Sequence, residues 1–441
     1  MSQSSIIHLA ADLSHIHTDY LWRSEGCWQG YPYYGAPDLY EDCARIAARG
    51  VFDLLFFGDS ANTSENHGGN HHAAVRLGMR WPKHDMSPLI PLMARAAPGV
   101  GFGLTMSTTY QHPFHVARFF NSLDHITQGR IAWNAVTSAY KNEAANWGYE
   151  EMIEHDERYV RAQEHMKVCC ALWDSVEPDA IVFDKQKGIF ADPEKVHLIN
   201  HHGKYFNVRG PLPVMPSPQH KPVLIQAGQS PAGIDLAATF AEVQFVSRST
   251  LKSMKEHRAT VDKQLAVHGR KPRDLAMLWS VRVQVADSEA AAIERERRYI
   301  ESIPQDAGLI ELSHMYGLDF STLRQEMKLP EVADAVSGQN VHWGSFLEML
   351  KIHDPDITIG ELGRMNAIGR GMVFRGTPKM IADKMEEFHH ESGANGGFIL
   401  YKGLEVPGYL REFVEHVVPE LQRRGLSKTA YTGKTLRENL Q

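Results

Sequence analysis

Residues 101–138 have the sequence GFGLTMSTTYQHPFHVARFFNSLDHITQGRIAWNAVTS, and this stretch predicts the fold. It begins with an apolar run at 101–109, continues with an amphipathic segment at 115–127, and ends in a second apolar run at 130–138. Short apolar runs on either side of a segment with helical periodicity predict a strand, a helix and a second, parallel strand. In a sheet of such strands, helices cover both faces.

The same alternation extends along the chain in both directions. Further apolar runs predict strands at 6–13, 52–59, 222–228, 242–247, 275–286 and 396–401. Helical segments are predicted at 36–49, 87–97, 158–173, from 231, at 251–268, at 288–303 and at 377–392, the last one preceding its strand. Eight such strands in one series favour a closed α/β barrel, the (β/α)8 TIM barrel, over an open doubly wound sheet.

The chain is longer than a minimal barrel. At about 150 residues per domain, 441 residues would allow three domains. A single barrel, however, can extend from about 250 residues to more than 400 when it carries insertions. The residues beyond those of a minimal barrel lie at 14–35 with 60–86, at 176–220 and at 304–370. We therefore expect one domain over residues 1–441, with these segments as insertions.

Composition and charge narrow the classes of function. Hydrophobic residues make up 43% and charged residues 22%, as is typical of a folded globular chain. The formal net charge of −7 comes without a basic block, which disfavours binding to nucleic acid or to an anionic membrane. The first residues do not resemble a secretory signal, and no apolar run is long enough to cross a bilayer. With four cysteines and no disulfide framework, a cytoplasmic location is expected.

The active site of a TIM barrel lies at the carboxyl ends of its strands. The predicted strand ends at 105–109, 134–138, 226–230 and 245–247 carry mainly hydroxyl, amide, small and aromatic side chains. Such a lining suits a flat organic ligand that forms hydrogen bonds. Aromatic residues at the strand ends, with Phe57 near the end of the second strand and Phe245 at the sixth as the predicted substrate contacts, indicate an apolar or aromatic substrate.

The end of the fifth strand carries the clearest ligand signal. Gly228 ends the strand, Ser230 occupies an N-cap position, and Pro231 takes the first helical position. The free N–H groups of a helix start, beside a serine hydroxyl, can bind an anion such as a phosphate. A capped helix without a ligand explains the same residues.

Histidines suggest a second interpretation, a metal-dependent hydrolase of the same fold. His15 and His17 follow the first strand, where two imidazoles can share a metal. Asn134 and Gln226 stand at later strand ends, where such a site would require Lys or His, and this disfavours the interpretation. The run HGGNHH at 67–72 has ligand-like spacing, but its glycines favour a solvated loop.

Several long motifs carry a family resemblance. Besides 101–138, they are EHDERYVRAQE at 154–164, FADPEKVHLINHHGKYFNVRGPL at 190–212 and SPQHKPVLIQAGQSPAG at 217–233. Together they resemble the bacterial-luciferase-like flavin monooxygenases, in the subgroup of nitrilotriacetate, dibenzothiophene-sulfone and long-chain-alkane monooxygenases. The resemblance runs from about residue 6 to VVPELQRRG at 417–425. It implies a TIM barrel and a two-component system, in which a separate reductase delivers reduced FMN and this chain reacts it with O2.

The resemblance also implies roles for individual residues. The implied cofactor-binding residues are Asp59, Thr105 and Asn134 at the isoalloxazine ring, His155, Tyr159, Gly228 and Ser230 at the ribityl chain and phosphate, and Ser138. The implied catalytic residues are His17, for which His15 could substitute, and His314. An imidazole beside the flavin could donate a hydrogen bond or transfer a proton, although either histidine could equally be structural.

The expected function is therefore that of a monooxygenase that uses FMNH2 and O2 to oxygenate a small organic molecule. The expected partner is an NAD(P)H:flavin reductase that supplies FMNH2, and the expected assembly is a homodimer or homotetramer. Three alternatives stay open at this point: the metal-dependent hydrolase, a non-catalytic flavin-binding protein and a deazaflavin-dependent oxidoreductase.

Overall fold

The structure is a computed structural model. It describes residues 6–14, 20–23, 27, 37–337, 346, 350, 353–368, 371–393, 395–401 and 406–441. The strands are β1 (His8–Asp12), β2 (Leu54–Phe57), β3 (Gly101–Ser107), β4 (Ile131–Val136), β5 (Ile181–Asp184), β6 (Ile189–Ala191), β7 (His201–His202), β8 (Asn207–Val208), β9 (Val223–Gln226), β10 (Val243–Val246), β11 (Ala276–Val285), β12 (Met372–Gly376) and β13 (Gly396–Leu400).

Eight parallel strands form a closed barrel in the order β1-β2-β3-β4-β9-β10-β11-β13. The barrel closes because β13 also pairs with β1, for example through Ala10 and Ile399. All eight strands correspond to predicted apolar runs. The structure therefore confirms the predicted TIM barrel, and every carboxyl strand end lies at the same rim.

A ninth strand, β12, was not predicted. It pairs in parallel with the second half of β11, from Val281 opposite Met372 to Val285 opposite Gly376. Burial alternates along its five residues, whereas four of the eight barrel strands are buried along their whole length. The sequence signal of β12 is therefore weaker than the continuous apolar run by which the barrel strands were identified.

The helices cover the outside of the barrel and form much of the insertions. They are α1 (Pro37–Arg49), α2 (His72–Leu77), α3 (Ile90–Ala96), α4 (Pro113–Ile126), α5 (Lys141–Asn146), α6 (His155–Asp174), α7 (Pro231–Phe240), α8 (Leu251–Val267), α9 (Glu289–Ser302), α10 (Gln305–Tyr316), α11 (Leu329–Val336), α12 (Ile359–Ala367), α13 (Pro378–Glu391), α14 (Gly408–Glu412), α15 (Val418–Arg423) and α16 (Leu436–Asn439). Short 3-10 turns lie at Leu21–Arg23, Ser87–Leu89, Pro193–Lys195 and Pro272–Asp274, and a π-helical turn at Phe413–Val417. None of these helices combines the length and the apolar composition that a bilayer-spanning segment needs.

Two apolar layers result from the alternation of side chains along the strands. The inner layer fills the barrel and contains Leu54, Phe56, Ile225 and Phe245. The outer layer lies between the barrel and its helices and contains, among many others, Phe57. Neighbouring residues of one strand therefore belong to different environments.

The C-terminal segment closes the amino-terminal end of the barrel. Leu436 of α16 is 1% exposed and belongs to the inner apolar layer. Nearby, the buried carboxylate of Asp53 accepts hydrogen bonds from Lys428 Nζ and, at 3.1 Å, from His8 Nδ1. Burial alone would raise the pKa of Asp53, but His8 and Lys428 together outweigh it and hold the pKa below its usual value.

The long segments outside the repeat have distinct structures. Residues 60–86 contain α2, and residues 176–220 form the antiparallel pairs β5–β6 and β7–β8. Residues 304–370 contain α10, α11 and α12, which enclose an apolar cluster of their own around Leu312, Phe320 and Leu362. A further cluster with members in both α2 and α10 joins the first and third segments. The single-domain organisation stays a prediction.

Substitution of Leu436 by Ala should lower the free energy of unfolding by about 2–5 kcal/mol, because it leaves a cavity at the amino-terminal end of the barrel. Urea denaturation followed by tryptophan fluorescence measures this change. Leu92→Ala is the matched control, since Leu92 is 40% exposed on α3 and should change stability by less than about 0.5 kcal/mol. Equal effects of the two substitutions would show that the C-terminal segment does not support the barrel.

Candidate active site

Two cavities lie at the carboxyl rim of the barrel. The first, here called the β3–β4 cavity, has a volume of about 480 Å³. The ends of β3 and β4, the segments 59–63 and 81–85, and α5 form its walls. The second, here called the central cavity, has a volume of about 340 Å³. Its lining includes Asp12, Phe56, Arg80, Gln229, Phe245, Ser247, Ser280, Glu311, Met315 and Asn366.

The predicted ring contacts gather at the β3–β4 cavity. Asp59, Thr105 and Ser138 line it. Asn134 is 3% exposed. It lies beside Thr105, because the two residues are paired between β4 and β3. Its Nδ2 donates a hydrogen bond to Thr105 Oγ1 at 2.9 Å. Within the described ranges, the buried Asn134 Oδ1 has no hydrogen-bond partner.

Asp59 and Lys83 supply opposite charges to this cavity. The carboxylate of Asp59 can be reached through the cavity, yet protein surrounds it on most sides, and this burial raises its pKa. The positive charge of Lys83 acts in the opposite direction. Lys83 Nζ is held in place by hydrogen bonds to Ser60 Oγ at 2.7 Å and to Ser60 O at 3.2 Å.

Glu143 of α5 also lines this cavity, and the sequence analysis missed it. Its Oε1 accepts hydrogen bonds from the backbone N–H of Ala61 and from Ser138 Oγ, each at 3.2 Å. Ser138 has a positive φ of 53°, which is uncommon for a residue other than glycine. In this conformation the hydroxyl group of Ser138 reaches Glu143 and also Ser107 Oγ, the latter at 3.0 Å.

The predicted ribityl and phosphate contacts gather where α6 and α7 begin. A Cβ atom on Gly228 would lie 2.9 Å from Tyr159 Oη, and one on Gly233 would lie 2.8 Å from the backbone of Gly228. The backbone contact means that position 233 requires glycine, whereas a side chain at position 228 would require Tyr159 to move. Ser230 caps α7, and its Oγ accepts a hydrogen bond from the N–H of Gly233 at 3.2 Å.

His155 and Arg158 fix the start of α6 beside this point. The ring of His155 lies 5.0 Å from that of Tyr159, and its Nδ1 is 2.7 Å from Asp156 Oδ1. Arg158 Nη1 donates a hydrogen bond to the carbonyl oxygen of Ser138. Arg158 thus connects the α6 start with the turn that lines the β3–β4 cavity.

A chain of hydrogen bonds holds the Gly228 loop from behind. Arg248 Nη2 donates to His257 Nδ1 at 2.9 Å, because an arginine can only donate. His257 Nε2 therefore carries the proton and donates to Gln244 Oε1 at 3.1 Å. The amide nitrogen of Gln244 then donates to the carbonyl oxygen of Gly228 at 3.0 Å. Burial, assisted by the charges of Arg248 and Arg258, lowers the pKa of His257 to about 4.

Residues 29–396 match the family model described as luciferase-like monooxygenase. The chain belongs to the luciferase-like monooxygenase family. Dibenzothiophene-sulfone monooxygenase of Rhodococcus erythropolis (strain XP) is 35% identical over 448 residues, which cover 100% of this chain and 97% of that protein. Nitrilotriacetate monooxygenase component A of Aminobacter aminovorans is 38% identical and covers 91% of this chain and 89% of its own length.

Solved structures of relatives have the same fold. Long-chain alkane monooxygenase superposes with a TM-score of 0.85 at 32% identity, over 99% of this chain and 95% of that chain. A riboflavin lyase solved with modified FMN and its substrate riboflavin gives a TM-score of 0.86 at 27% identity, over the same shares of the two chains. These findings confirm the predicted family and fold, and the chain is a monooxygenase of this family. The hydrolase alternative finds no support among these relatives.

Of the two predicted catalytic histidines of this luciferase-like monooxygenase, only His314 belongs to the described residues. His17 and its substitute His15 lie outside the described residues. His314 on α10 is 2% exposed, and its ring stacks on that of Tyr140 with 4.5 Å between centroids. The neighbouring residues Glu311 and Met315 line the central cavity. His314 itself is not among the lining residues of either cavity, and its catalytic role stays a prediction.

The structure corrects one of the two predicted substrate contacts. Phe57 is fully buried in the outer apolar layer, on the helix side of the barrel wall. Phe56 faces inward and lines the central cavity together with Phe245. The two inward rings meet edge to face with centroids 4.3 Å apart. A continuous apolar run does not reveal which of two adjacent phenylalanines faces inward, so the sequence alone does not distinguish Phe57 from Phe56.

Replacement of His257 by Leu should lower the free energy of unfolding by about 1–3 kcal/mol, because Gln244 Oε1 and Arg248 Nη2 lose their buried partner. Since the folded pKa of His257 is depressed, its contribution to stability is present above the unfolded pKa of about 6.5 and is lost as the pH falls below it. Urea denaturation between about pH 5 and 8 should therefore show a smaller pH dependence in the variant.

His202→Leu is the control for this experiment, because His202 is exposed on the β7–β8 pair. It should keep both the stability and the pH dependence of the wild type. If His257→Leu gave the wild-type pH dependence, His257 would not be the buried neutral group that the hydrogen bonds indicate.

Proposed function

We propose that this chain is the oxygenase component of a two-component system that uses FMNH2 and O2 to oxygenate a small organic molecule. The observation that carries the proposal is that two polar sites, the β3–β4 cavity and the start of α7, lie side by side at one rim of the barrel. The β3–β4 cavity offers groups that suit a flat heterocycle, and the α7 start offers groups that suit a phosphate. Arg158 and Tyr159, adjacent on α6, contact one site each.

The residues present fit FMN. The buried Asn134 Oδ1, which lacks a partner within the described part of the chain, can accept a hydrogen bond from a ring N–H. Gly233 allows the first turn of α7 to pack directly on the backbone of Gly228. The N–H groups and the dipole of α7 favour an anion there. The volume of the β3–β4 cavity lies in the range of about 300–1,000 Å³ that small-molecule sites occupy.

Reduced FMN would supply the electrons that activate O2, while the protein binds, orients and shields it. Thr105, Asn134 and Ser138 would hold the ring, and Ser230 with the start of α7 would hold the phosphate. The insertion 60–86 contributes to the walls of both cavities, and the insertion 304–370 contributes to the wall of the central cavity. Arg80 and Glu311 join the two insertions through a bidentate ion pair with N–O distances of 2.7 and 2.9 Å.

The central cavity is the proposed substrate site. Phe56 and Phe245 give it an apolar floor, while Arg80, Glu311 and Ser280 add polar groups to its walls. The relatives are named for a sulfone, for nitrilotriacetate and for long-chain alkanes, which are all small organic molecules. One of them is named as component A, which fits an oxygenase that works with a separate flavin reductase. The cytoplasmic location and the homo-oligomeric state stay predictions.

Reconstitution tests this function directly. The purified chain is combined with FMN, NADH, a generic flavin reductase and 18O2, and a panel of sulfones, amines, sulfides and alkanes is offered. At least one compound should give a product that carries one 18O atom, as mass spectrometry would detect. Without this chain, the reductase should give only hydrogen peroxide. A complete absence of labelled product from the whole panel would contradict the proposal.

Substitution of Ser230 by Ala should weaken FMN binding about ten- to a hundredfold, because a hydrogen bond to a charged group contributes about 1.5–3 kcal/mol. Fluorescence quenching or calorimetry measures the dissociation constant. Thr250→Ala is the matched control, because the side chain of Thr250 caps α8 as that of Ser230 caps α7. The control should lose a similar helix-capping contribution of about 1 kcal/mol and keep the wild-type affinity. Equal affinities of the two variants would exclude Ser230 from the phosphate site.

A further inference from the structure

Glu143 is a buried acid that the functions assigned above do not use. It is 4% exposed, although it lines the β3–β4 cavity. Two donors fix its Oε1, namely the backbone N–H of Ala61 and the hydroxyl of Ser138. In the part of the chain that the structure describes, its buried Oε2 has no hydrogen-bond partner. One carboxyl oxygen is therefore anchored, while the other is left for a ligand.

The charged and titratable groups around Glu143 come from every element that packs against it. They are Asp59, Lys83, Tyr110, Tyr140 and Arg158. Burial is the largest influence and raises the pKa of Glu143, and the negative charge of Asp59 acts in the same direction. The hydrogen bonds from Ala61 and Ser138 and the charge of Lys83 oppose this but do not reverse it.

A neutral carboxyl group at this position would carry its proton on Oε2, because both donors to the group point at Oε1. A buried O–H group without an acceptor is unfavourable, so a ligand that offers an acceptor atom would gain a hydrogen bond there. The isoalloxazine ring of a flavin has such acceptors at its edge, in its carbonyl oxygens and imine nitrogens. When the ring is reduced, N5 takes up a hydrogen and becomes a donor, whereas the carbonyl oxygens and N1 of the reduced anion gain electron density, so that a fixed donor would interact more strongly with them.

We propose that Glu143 contacts the flavin ring, with its Oε2–H donating a hydrogen bond to a carbonyl oxygen or ring nitrogen at the edge of the isoalloxazine. The inference rests on the proposed function, since it requires that the β3–β4 cavity holds the flavin. The inference adds Glu143 to the residues proposed to bind the ring, and Glu143 does so as a hydrogen-bond donor. Glu143 thereby recognises the acceptor edge of the flavin, whereas Asn134 recognises a ring N–H.

The test compares wild type with Glu143→Gln. Glutamine keeps the shape, the acceptor for Ala61 and Ser138, and an N–H donor in place of Oε2–H, but it cannot ionise. Wild-type protein should bind FMN, and FMNH2 under argon, with full affinity below the pKa of Glu143. As the pH rises above that pKa, its dissociation constant should increase by up to about tenfold per pH unit, because the donor is lost and a negative charge appears. Glu143→Gln should lack this increase.

Glu151→Gln is the matched control, because Glu151 is on the surface with a side chain that is 78% exposed and pairs with Lys141. It should follow the wild-type profile. Titration of the flavin itself is common to all three proteins and cancels when their profiles are compared. Infrared spectroscopy gives a second readout that does not depend on the folding of a variant: the carboxylic-acid C=O band of the wild type should shift when FMN binds.

The outcomes separate this inference from the proposed function. If wild type binds FMN and oxygenates a substrate but Glu143→Gln keeps the wild-type pH profile, Glu143 does not contact the flavin and the inference is wrong. An infrared band that FMN leaves unchanged leads to the same conclusion. If wild type binds neither FMN nor FMNH2, the proposed function fails, and the inference fails with it.

Discussion

Hydrogen bonding between β13 and β1, and between β10 and β11, closes the parallel sheet on itself, and the rest of the structure depends on this closure. A closed barrel places all eight carboxyl ends at one rim, so that residues as distant in sequence as Asp59 and Gly228 contribute to adjoining sites. It also divides the side chains of each strand strictly into inward and outward sets. Leu436 then fills the inner layer from the amino-terminal end, which leaves the opposite rim as the place where ligands enter.

At that rim, the residues that hold the Gly228 loop in place differ from the residues that line the β3–β4 cavity. The Gly228 loop is held from behind by a neutral His257, whose tautomer is dictated by Arg248 on one side and Gln244 on the other. The β3–β4 cavity, in contrast, contains two carboxyl groups, Asp59 and Glu143, whose pKa values burial raises. Perturbed carboxyl groups in a cavity are typical of functional sites, whereas a fully hydrogen-bonded neutral imidazole is typical of a positioning network.

Sequence reasoning recovered the features that local patterns encode. The barrel strands appear as continuous apolar runs, and the Ser230 cap follows from the order of residues at a helix start. Features that depend on register or on distant partners were not recoverable. The run FDLLFF gives no sign that Phe56 faces inward and Phe57 outward, and β12 has only an alternating pattern over five residues. Glu143 is one acid in a short polar helix, and only the three-dimensional neighbours Ala61 and Ser138 reveal its importance. No local sequence feature separates His257 from the other 23 histidines.

The apolar cluster shared by α2 and α10 has a consequence for how enzymes of this kind diversify. Residues 60–86 and 304–370 are more than 200 positions apart in the chain, yet they pack on each other and are bridged by Arg80 and Glu311. Replacement of one segment alone would expose the apolar face of the other and leave a buried charge without its counterpart. The two segments must therefore be inherited, and exchanged between relatives, as a pair. The core inside residues 304–370 allows that pair to vary while the barrel beneath it stays unchanged.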